Sequence, residues 1–141
     1  PTRRSSDLMY ALEKSFPSLT YHYSYSHMLS YCLFAVAFLI GILAIYCFRQ
    51  HKTTVHPSTP EKASKVVNTG IYAYSRNPMY LALALSLLCV PIYRQNVMLF
   101  SVLPLFIWYI TKYQIIPEER ALTLLFGEDY ARYCQKVRRW I

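Results

Sequence analysis

The chain has 141 residues, of which 55% are hydrophobic and 16% aromatic, and its formal net charge is +8. A soluble domain of this length is seldom so apolar, so the composition favours a membrane protein with room for one modest domain. The basic excess is not accompanied by a recognisable nucleic-acid-binding motif, which argues against DNA or RNA as a partner.

The first residues do not look like part of a fold. Residues 1–8 lack hydrophobic periodicity, and their Arg-Arg-Ser-Ser-Asp-Leu stretch matches one reading frame of a widely used sequencing adapter. We therefore expect residues 1–8 to be a non-native leader. Residues 9–27 are expected to be an interfacial loop or the tail of a truncated helix. The remaining residues, 28–141, are expected to form one membrane domain.

Three apolar runs predict membrane-spanning helices. Residues 28–48 carry no charge and are long enough to cross a hydrocarbon core of about 30 Å as a helix. Residues 79–93 and 97–116 are separated by only three polar residues, which predicts a helical hairpin. In the connector before this hairpin, Thr59 and Pro60 form a helix-start signal.

Basic residues are distributed unevenly around these spans. Only Arg94 lies at the tip of the hairpin, whereas the segments before and after the hairpin are rich in basic residues. By the positive-inside rule, both basic segments are expected to face the cytoplasm. Before the hairpin these residues are Arg49, Lys52, Lys62, Lys65 and Arg76, and after it they are Lys112, Arg120, Arg132, Lys136, Arg138 and Arg139.

Residues 117–137 predict a pair of amphipathic cytoplasmic helices. Apolar residues recur at helical spacing on both sides of Gly127, which is expected to end the first helix. The basic residues Arg132, Lys136, Arg138 and Arg139 are expected to contact anionic lipid. The predicted fold class is therefore all-α, a multipass transmembrane helical protein with a helical hairpin and C-terminal amphipathic helices.

The four cysteines and four histidines do not indicate a metal centre. Neither set has the short, regular spacing that metal ligands show in sequence. We predict no metal site, and we expect the cysteines to be free thiols.

Charged and polar residues at the ends of the hairpin indicate a binding site. Arg76 precedes the span 79–93, and Glu118 and Glu119 follow the span 97–116. Charged groups are costly beside a membrane, so function is their default interpretation. Since the hairpin returns to the side where it starts, both ends are expected at the same membrane level.

The local chemistry of these ends favours a small ligand of mixed charge. Asn77 is predicted to cap the second span with its side chain, with Pro78 at the first helical position. The positive end of that helix and Arg76 would bind a carboxylate, while the two glutamates would bind ammonium or hydroxyl groups. S-adenosylmethionine is such a molecule. Taken one by one, the same residues are also explained as a helix cap, a solvated first turn and an interfacial anchor.

The order of motifs resembles a family of membrane enzymes. In sequence they are Gly-x-Tyr-x-x-x-Arg-Asn-Pro-Met-Tyr, an apolar hairpin, Pro-Glu-Glu-Arg-x-Leu, Phe-Gly-x-x-Tyr-x-x-Tyr and Val-Arg-Arg-Trp-Ile. Over about residues 49–141 this order resembles the isoprenylcysteine carboxyl methyltransferase-like and phospholipid methyltransferase family. Asn77 stands where eukaryotic members usually have His.

The resemblance implies methyl transfer from S-adenosylmethionine to a lipophilic or small acceptor at the cytoplasmic face of the membrane. The methylated group of the acceptor would be a carboxylate, thiol or amine. The resemblance also implies catalytic roles for Arg76, Glu118 and Glu119. The implied cofactor pocket consists of Tyr72, Arg76, Asn77, Pro78, Met79, Tyr80, Glu118, Glu119, Tyr130 and Tyr133.

Two other functions fit the same pattern. Membrane reductases of the steroid 5-alpha-reductase type resemble the C-terminal motifs but use NADPH, so a sterol or enone reductase is the second hypothesis. The third hypothesis is a non-enzymatic membrane subunit, in which Arg76, Glu118 and Glu119 are only interfacial anchors. Binding of the methyl donor or of NADPH would distinguish the three hypotheses.

Overall fold

The computed structural model describes residues 11, 14–15, 20–51 and 65–141. Over these residues the protein is helical, and extended pairing is limited to an isolated antiparallel bridge between Thr20 and Asn96. The predicted all-α class is therefore confirmed for the described part of the chain. The expected leader and the helix-start signal at Thr59 and Pro60 lie outside the described residues.

Five α-helices and three shorter helical turns make up the described structure. The turns comprise two 3-10 segments, Gly70–Ala73 and Val97–Ser101, and a π turn, Thr111–Ile115. The 3-10 segment Val97–Ser101 and the π turn Thr111–Ile115 are each followed directly by an α-helix. Together these four elements form one continuous helix, Val97–Phe126, which we call the rod. The α-helices are α1 (Ser26–Gln50), α2 (Pro78–Arg94), α3 (Val102–Ile110), α4 (Ile116–Phe126) and α5 (Glu128–Lys136).

Two of these elements, α1 and the rod, are long and apolar enough to cross a membrane. The helix between them, α2, is apolar but shorter, at 17 residues. Large apolar side chains of α1, among them Phe34 and Phe38, point away from the rest of the protein. Such exposure is expected of a helix whose outer face meets lipid.

Small residues allow α1 and α2 to pack closely. On α1, Ser30, Ala37 and Ala44 are buried at seven-residue spacing, which places them on one helix face. The hydroxyl of Ser30 donates a 3.0 Å hydrogen bond to the carbonyl oxygen of Cys89 on α2. Interfaces of this kind, with small residues and an interhelical hydrogen bond, are typical of helices packed within a membrane.

The rod passes through Pro117 without a break, although the sequence favours a new element at that residue. Proline lacks an N–H and its ring crowds the carbonyl four residues earlier, so it normally ends or kinks a helix. Here the π turn Thr111–Ile115 directly precedes α4. A π turn shifts the hydrogen bonds by one residue, which accommodates the proline. Glu118 and Glu119 consequently lie in the first turn of α4.

Gly70 brings the chain back against the end of α1. Its φ is +59°, in the left-handed region that glycine adopts without strain, and an added Cβ would lie 2.6 Å from Sγ of Cys47. This close approach packs Tyr72 against Ala44 and Cys47. The chain then reaches the start of α2 at the same end of the helix pair, which is where the predicted site residues lie.

Candidate functional site

The start of α2 has the predicted position but not the predicted capping bond. Asn77 occupies the N-cap position and Pro78 the first helical position. The Asn77 side chain accepts no hydrogen bond from the first turn of α2, and its Nδ2 atom donates a 2.9 Å bond to the carbonyl oxygen of Arg139. The prediction of a side-chain cap is therefore wrong. The first turn of α2 has no side-chain cap. Asn77 instead holds residues 137–141, which follow α5 and which we call the C-terminal tail.

Arg76 and Glu119 form an ion pair across the predicted site. Nη1 of Arg76 lies 3.0 Å from Oε1 of Glu119, and the side chains are only 13% and 16% exposed. The same Nη1 donates to Sγ of Cys134 at 2.8 Å. Nε of Arg76 is buried and has no hydrogen-bond partner. The structure thus brings together the arginine before α2 and one of the two acids of α4.

Arg139 completes this cluster, although its charge alone predicted only a basic residue at the membrane surface. Its Nη2 lies 2.7 Å from Oε2 of Glu119, and its Nε donates to Oε1 at 3.0 Å. This bidentate bond raises the pKa of the Arg139 guanidinium above its usual value. Arg139 therefore has an ion-pair partner within the protein, and its contact with anionic lipid stays a prediction. The Val-Arg-Arg-Trp-Ile motif of the family resemblance was the only signal for its role.

The C-terminal tail is also held through its backbone. The N–H of Arg76 donates a 3.0 Å bond to the carbonyl oxygen of Arg138. Together with the Asn77 bond, this fixes two consecutive tail carbonyls at the start of α2. The tail therefore closes one side of the cluster that Arg76 and Glu119 form.

Glu118 has a different environment from Glu119. Its Oε1 atom accepts a 2.7 Å bond from the hydroxyl of Tyr80 and another of 2.7 Å from Nε2 of Gln114. Both bonds go to one oxygen, so Oε2 of Glu118 lies outside these contacts. Glu119, in contrast, uses both oxygens on arginines. Of the two acids, Glu118 is the one with an oxygen available to a ligand.

The predicted tyrosines and Met79 line the core around this cluster. The hydroxyl of Tyr133 donates a 2.7 Å bond to the carbonyl oxygen of Tyr72, whose ring packs edge-on against Phe48. Tyr130 and Tyr133 are buried in a second small core on α5. Burial raises the pKa of the phenols of Tyr72, Tyr130 and Tyr133, so all three remain protonated near neutral pH. Met79 packs towards Tyr72.

The arrangement combines fixed positive charge, one available carboxylate oxygen and an uncapped helix start. Such a set has the chemistry to bind a small molecule that carries an anionic group together with ammonium or hydroxyl groups. Over the described residues, no group of three His, Cys, Asp or Glu side chains is arranged to hold a metal ion.

Comparison with known proteins relates the chain to one family. A model of the phospholipid methyltransferase family matches residues 25–129, which is more than half of the chain and includes Arg76, Glu118 and Glu119. An uncharacterised protein of Haemophilus influenzae is 43% identical over 63 residues, which is 45% of this chain and 100% of that protein. No solved structure matches the chain.

Proposed function

This chain belongs to the phospholipid methyltransferase family, and we propose that it transfers a methyl group from S-adenosylmethionine to a lipophilic or small acceptor. The proposal places the reaction at the cytoplasmic face of a membrane that α1, α2 and the rod cross. One observation carries it: residues before α2 and in α4, far apart in sequence, form a single charged cluster.

The residues of the cluster fit the polar groups of the methyl donor. The methionine carboxylate would bind at the uncapped start of α2, where Nε of Arg76 is buried without a partner. An ammonium or ribose hydroxyl group would bind Oε2 of Glu118. The ring of Tyr80, whose hydroxyl bonds Glu118, would face the sulfonium by cation–π attraction. Asn77, Tyr130 and Tyr133 would close the pocket.

The two acids take different roles in this proposal. Glu119 holds the guanidinium groups of Arg76 and Arg139 and so positions Arg76 for the ligand. Glu118 contacts the ligand itself, because only Glu118 keeps an oxygen outside the bonds within the cluster. We therefore propose that Glu118 contacts the cofactor and that Glu119, which the sequence also placed in the pocket, acts through Arg76.

When bound, S-adenosylmethionine supplies an electrophilic methyl group on a sulfonium. The acceptor would attack this methyl group in line, with the protein mainly holding the two reactants in position. Aligned reactants recover roughly 7–11 kcal/mol of an activation barrier, so positioning is the main contribution we assign to the site. Alternatively, where the acceptor is an amine or a thiol and the methyl donor leaves Oε2 of Glu118 open, that oxygen would accept the proton of the acceptor.

The charge distribution supports the orientation. The described basic residues Arg49, Lys65 and Arg76 lie near the end where α1 stops and α2 starts, whereas Arg94 lies at the opposite end of α2. The positive-inside rule then puts the charged cluster on the cytoplasmic side. A lipophilic acceptor would reach it from the bilayer, alongside α2 and the rod.

Calorimetric titration of the full chain in detergent micelles tests the proposal. We expect S-adenosylmethionine to bind, and Glu118→Gln to weaken binding about 10-fold to 100-fold, since a hydrogen bond to a charged group contributes about 1.5–3 kcal/mol. Glu128→Gln is the matched control, because Glu128 is exposed and lies outside the cluster. Preferential binding of NADPH would instead favour a reductase, and binding of neither compound would favour a non-enzymatic subunit.

A further inference from the structure

A cavity of about 750 Å³ lies beside the charged cluster but is lined by other residues. It is bounded by the segment that enters Gly70–Ala73, by the end of the rod and by α5. Cavities of roughly 300–1,000 Å³ are the size that binds small molecules or lipid head groups. Tyr133 lines this cavity, and its hydroxyl donates a 2.7 Å bond to the carbonyl oxygen of Tyr72.

The rim of the cavity is positively charged. Lys65, Arg132 and Lys136 line it, together with a single acid, Asp129. Arg132 also pairs with Glu128 at 3.4 Å, but these side chains are 70% and 90% exposed. An exposed pair of this kind contributes little, so Arg132 remains able to bind another anion. The rim therefore favours an anion, and Asp129 offers an acceptor for a hydroxyl group on the same ligand.

The floor of the cavity is apolar. Phe126 and Val137 line it, together with Val66, and they belong to the small core formed around Tyr130 and Tyr133. Phe126 is also the last residue of the rod. If the rod crosses the membrane, the cavity lies beside the end of the rod, near the level of the lipid head groups.

We propose that this cavity binds the phosphate diester of an anionic phospholipid whose head group carries hydroxyls. Lys65, Lys136 and the guanidinium of Arg132 bind the phosphate, Asp129 accepts a hydroxyl bond, and the first apolar atoms of the lipid lie on Phe126 and Val137. This lipid binds at a site separate from the methyl-donor pocket. The inference requires a membrane-embedded rod but not methyltransferase activity.

Native mass spectrometry of the full chain from mixed micelles tests this site. With equal amounts of phosphatidylglycerol and phosphatidylcholine, we expect one phosphatidylglycerol molecule to be retained. The double variant Arg132→Gln/Lys136→Gln should retain it at least about tenfold less, because each basic residue near an anionic lipid contributes on the order of 1 kcal/mol. The matched control is Arg120→Gln/Arg138→Gln, which removes equal charge from exposed positions outside the cavity. It should change retention less than twofold.

Four results would overturn the proposal. Equal losses in the two double variants would show general attraction to the basic surface, and equal retention of both lipids would show no anionic preference. Displacement of the lipid by millimolar inorganic phosphate would show a site for free phosphate. Displacement by S-adenosylmethionine would show that the cavity belongs to the methyl-donor pocket. Binding of S-adenosylmethionine alongside the retained lipid is the result that the proposal expects.

Discussion

Replacement of Glu119 by glutamine should destabilise the protein far more than its position near a helix end would suggest. Glu119 neutralises Arg76, and both side chains are largely buried. Removing one partner of a buried pair leaves an uncompensated charge and typically costs about 3–5 kcal/mol of unfolding free energy. We expect about 3 kcal/mol, the lower end, because the amide oxygen still accepts one bond from Arg76. The charge of Arg139 reaches water, since its side chain is 38% exposed.

Two further variants make this reasoning specific. Glu128→Gln makes the same chemical change in a 3.4 Å ion pair whose side chains are exposed, and should cost less than about 1 kcal/mol. Adding Arg76→Met to Glu119→Gln should recover part of the loss, because no charge is then left buried. The gain from a second substitution in an already destabilised protein distinguishes a buried charge from a simple loss of packing.

The assay is reversible unfolding in mixed micelles with an increasing fraction of sodium dodecyl sulfate, followed by circular dichroism. The free energies of unfolding of the parent and the three variants are compared under identical lipid and salt conditions. If Glu119→Gln costs no more than Glu128→Gln, the Arg76–Glu119 pair is not a buried electrostatic link. If the added Arg76→Met destabilises further, the coupling inferred from the 3.0 Å contact is wrong.

Two other substitutions test the packing that positions the site. Gly70→Ala should lower the unfolding free energy by at least about 1–2 kcal/mol, because φ is +59° and the new Cβ meets Cys47; an unchanged stability would contradict this backbone. Tyr133→Phe should cost about 1 kcal/mol through the lost bond to the Tyr72 carbonyl. Burial raises the pKa of Tyr133 above its ordinary 10.0, so its contribution holds below pH 10 and falls as the pH rises past that value. A variant with the parent's alkaline profile would contradict that assignment.

The convergence of Arg76 with the acidic start of α4, where it pairs with Glu119, could be anticipated because it follows from connectivity. A hairpin of two apolar segments returns the chain to the side where it starts, so residues before the first arm and after the second meet. The residue types then predicted contact between these ends, because an arginine and two acids are costly to place at a membrane without partners. The different roles of Glu118 and Glu119 could not be anticipated, because they depend on which oxygen faces which donor.

The tail and the π turn show where the sequence pattern was insufficient. Arg138 and Arg139 look equivalent as basic residues, yet only the Arg139 side chain reaches Glu119, while Arg138 contributes its carbonyl oxygen. Asn77 is a residue type that often caps helices, but here its side-chain amide donates to a carbonyl oxygen of the C-terminal tail and its side chain makes no capping bond. Pro117 signals a break that the π turn absorbs. In each case a tertiary contact or a local backbone adjustment overrides a sound local preference.

Transfer of a labelled methyl group tests the central proposal most directly. The full chain is reconstituted in vesicles of a mixed phospholipid extract with methyl-labelled S-adenosylmethionine, and the label in the extracted lipid is counted. The account predicts that the parent and Glu128→Gln transfer label to the lipid fraction. With Glu118→Gln, the amount of label in that fraction should be at least about tenfold lower. An unlabelled lipid fraction from the parent would contradict a lipophilic acceptor, and equal labelling by Glu118→Gln would contradict the role proposed for Glu118.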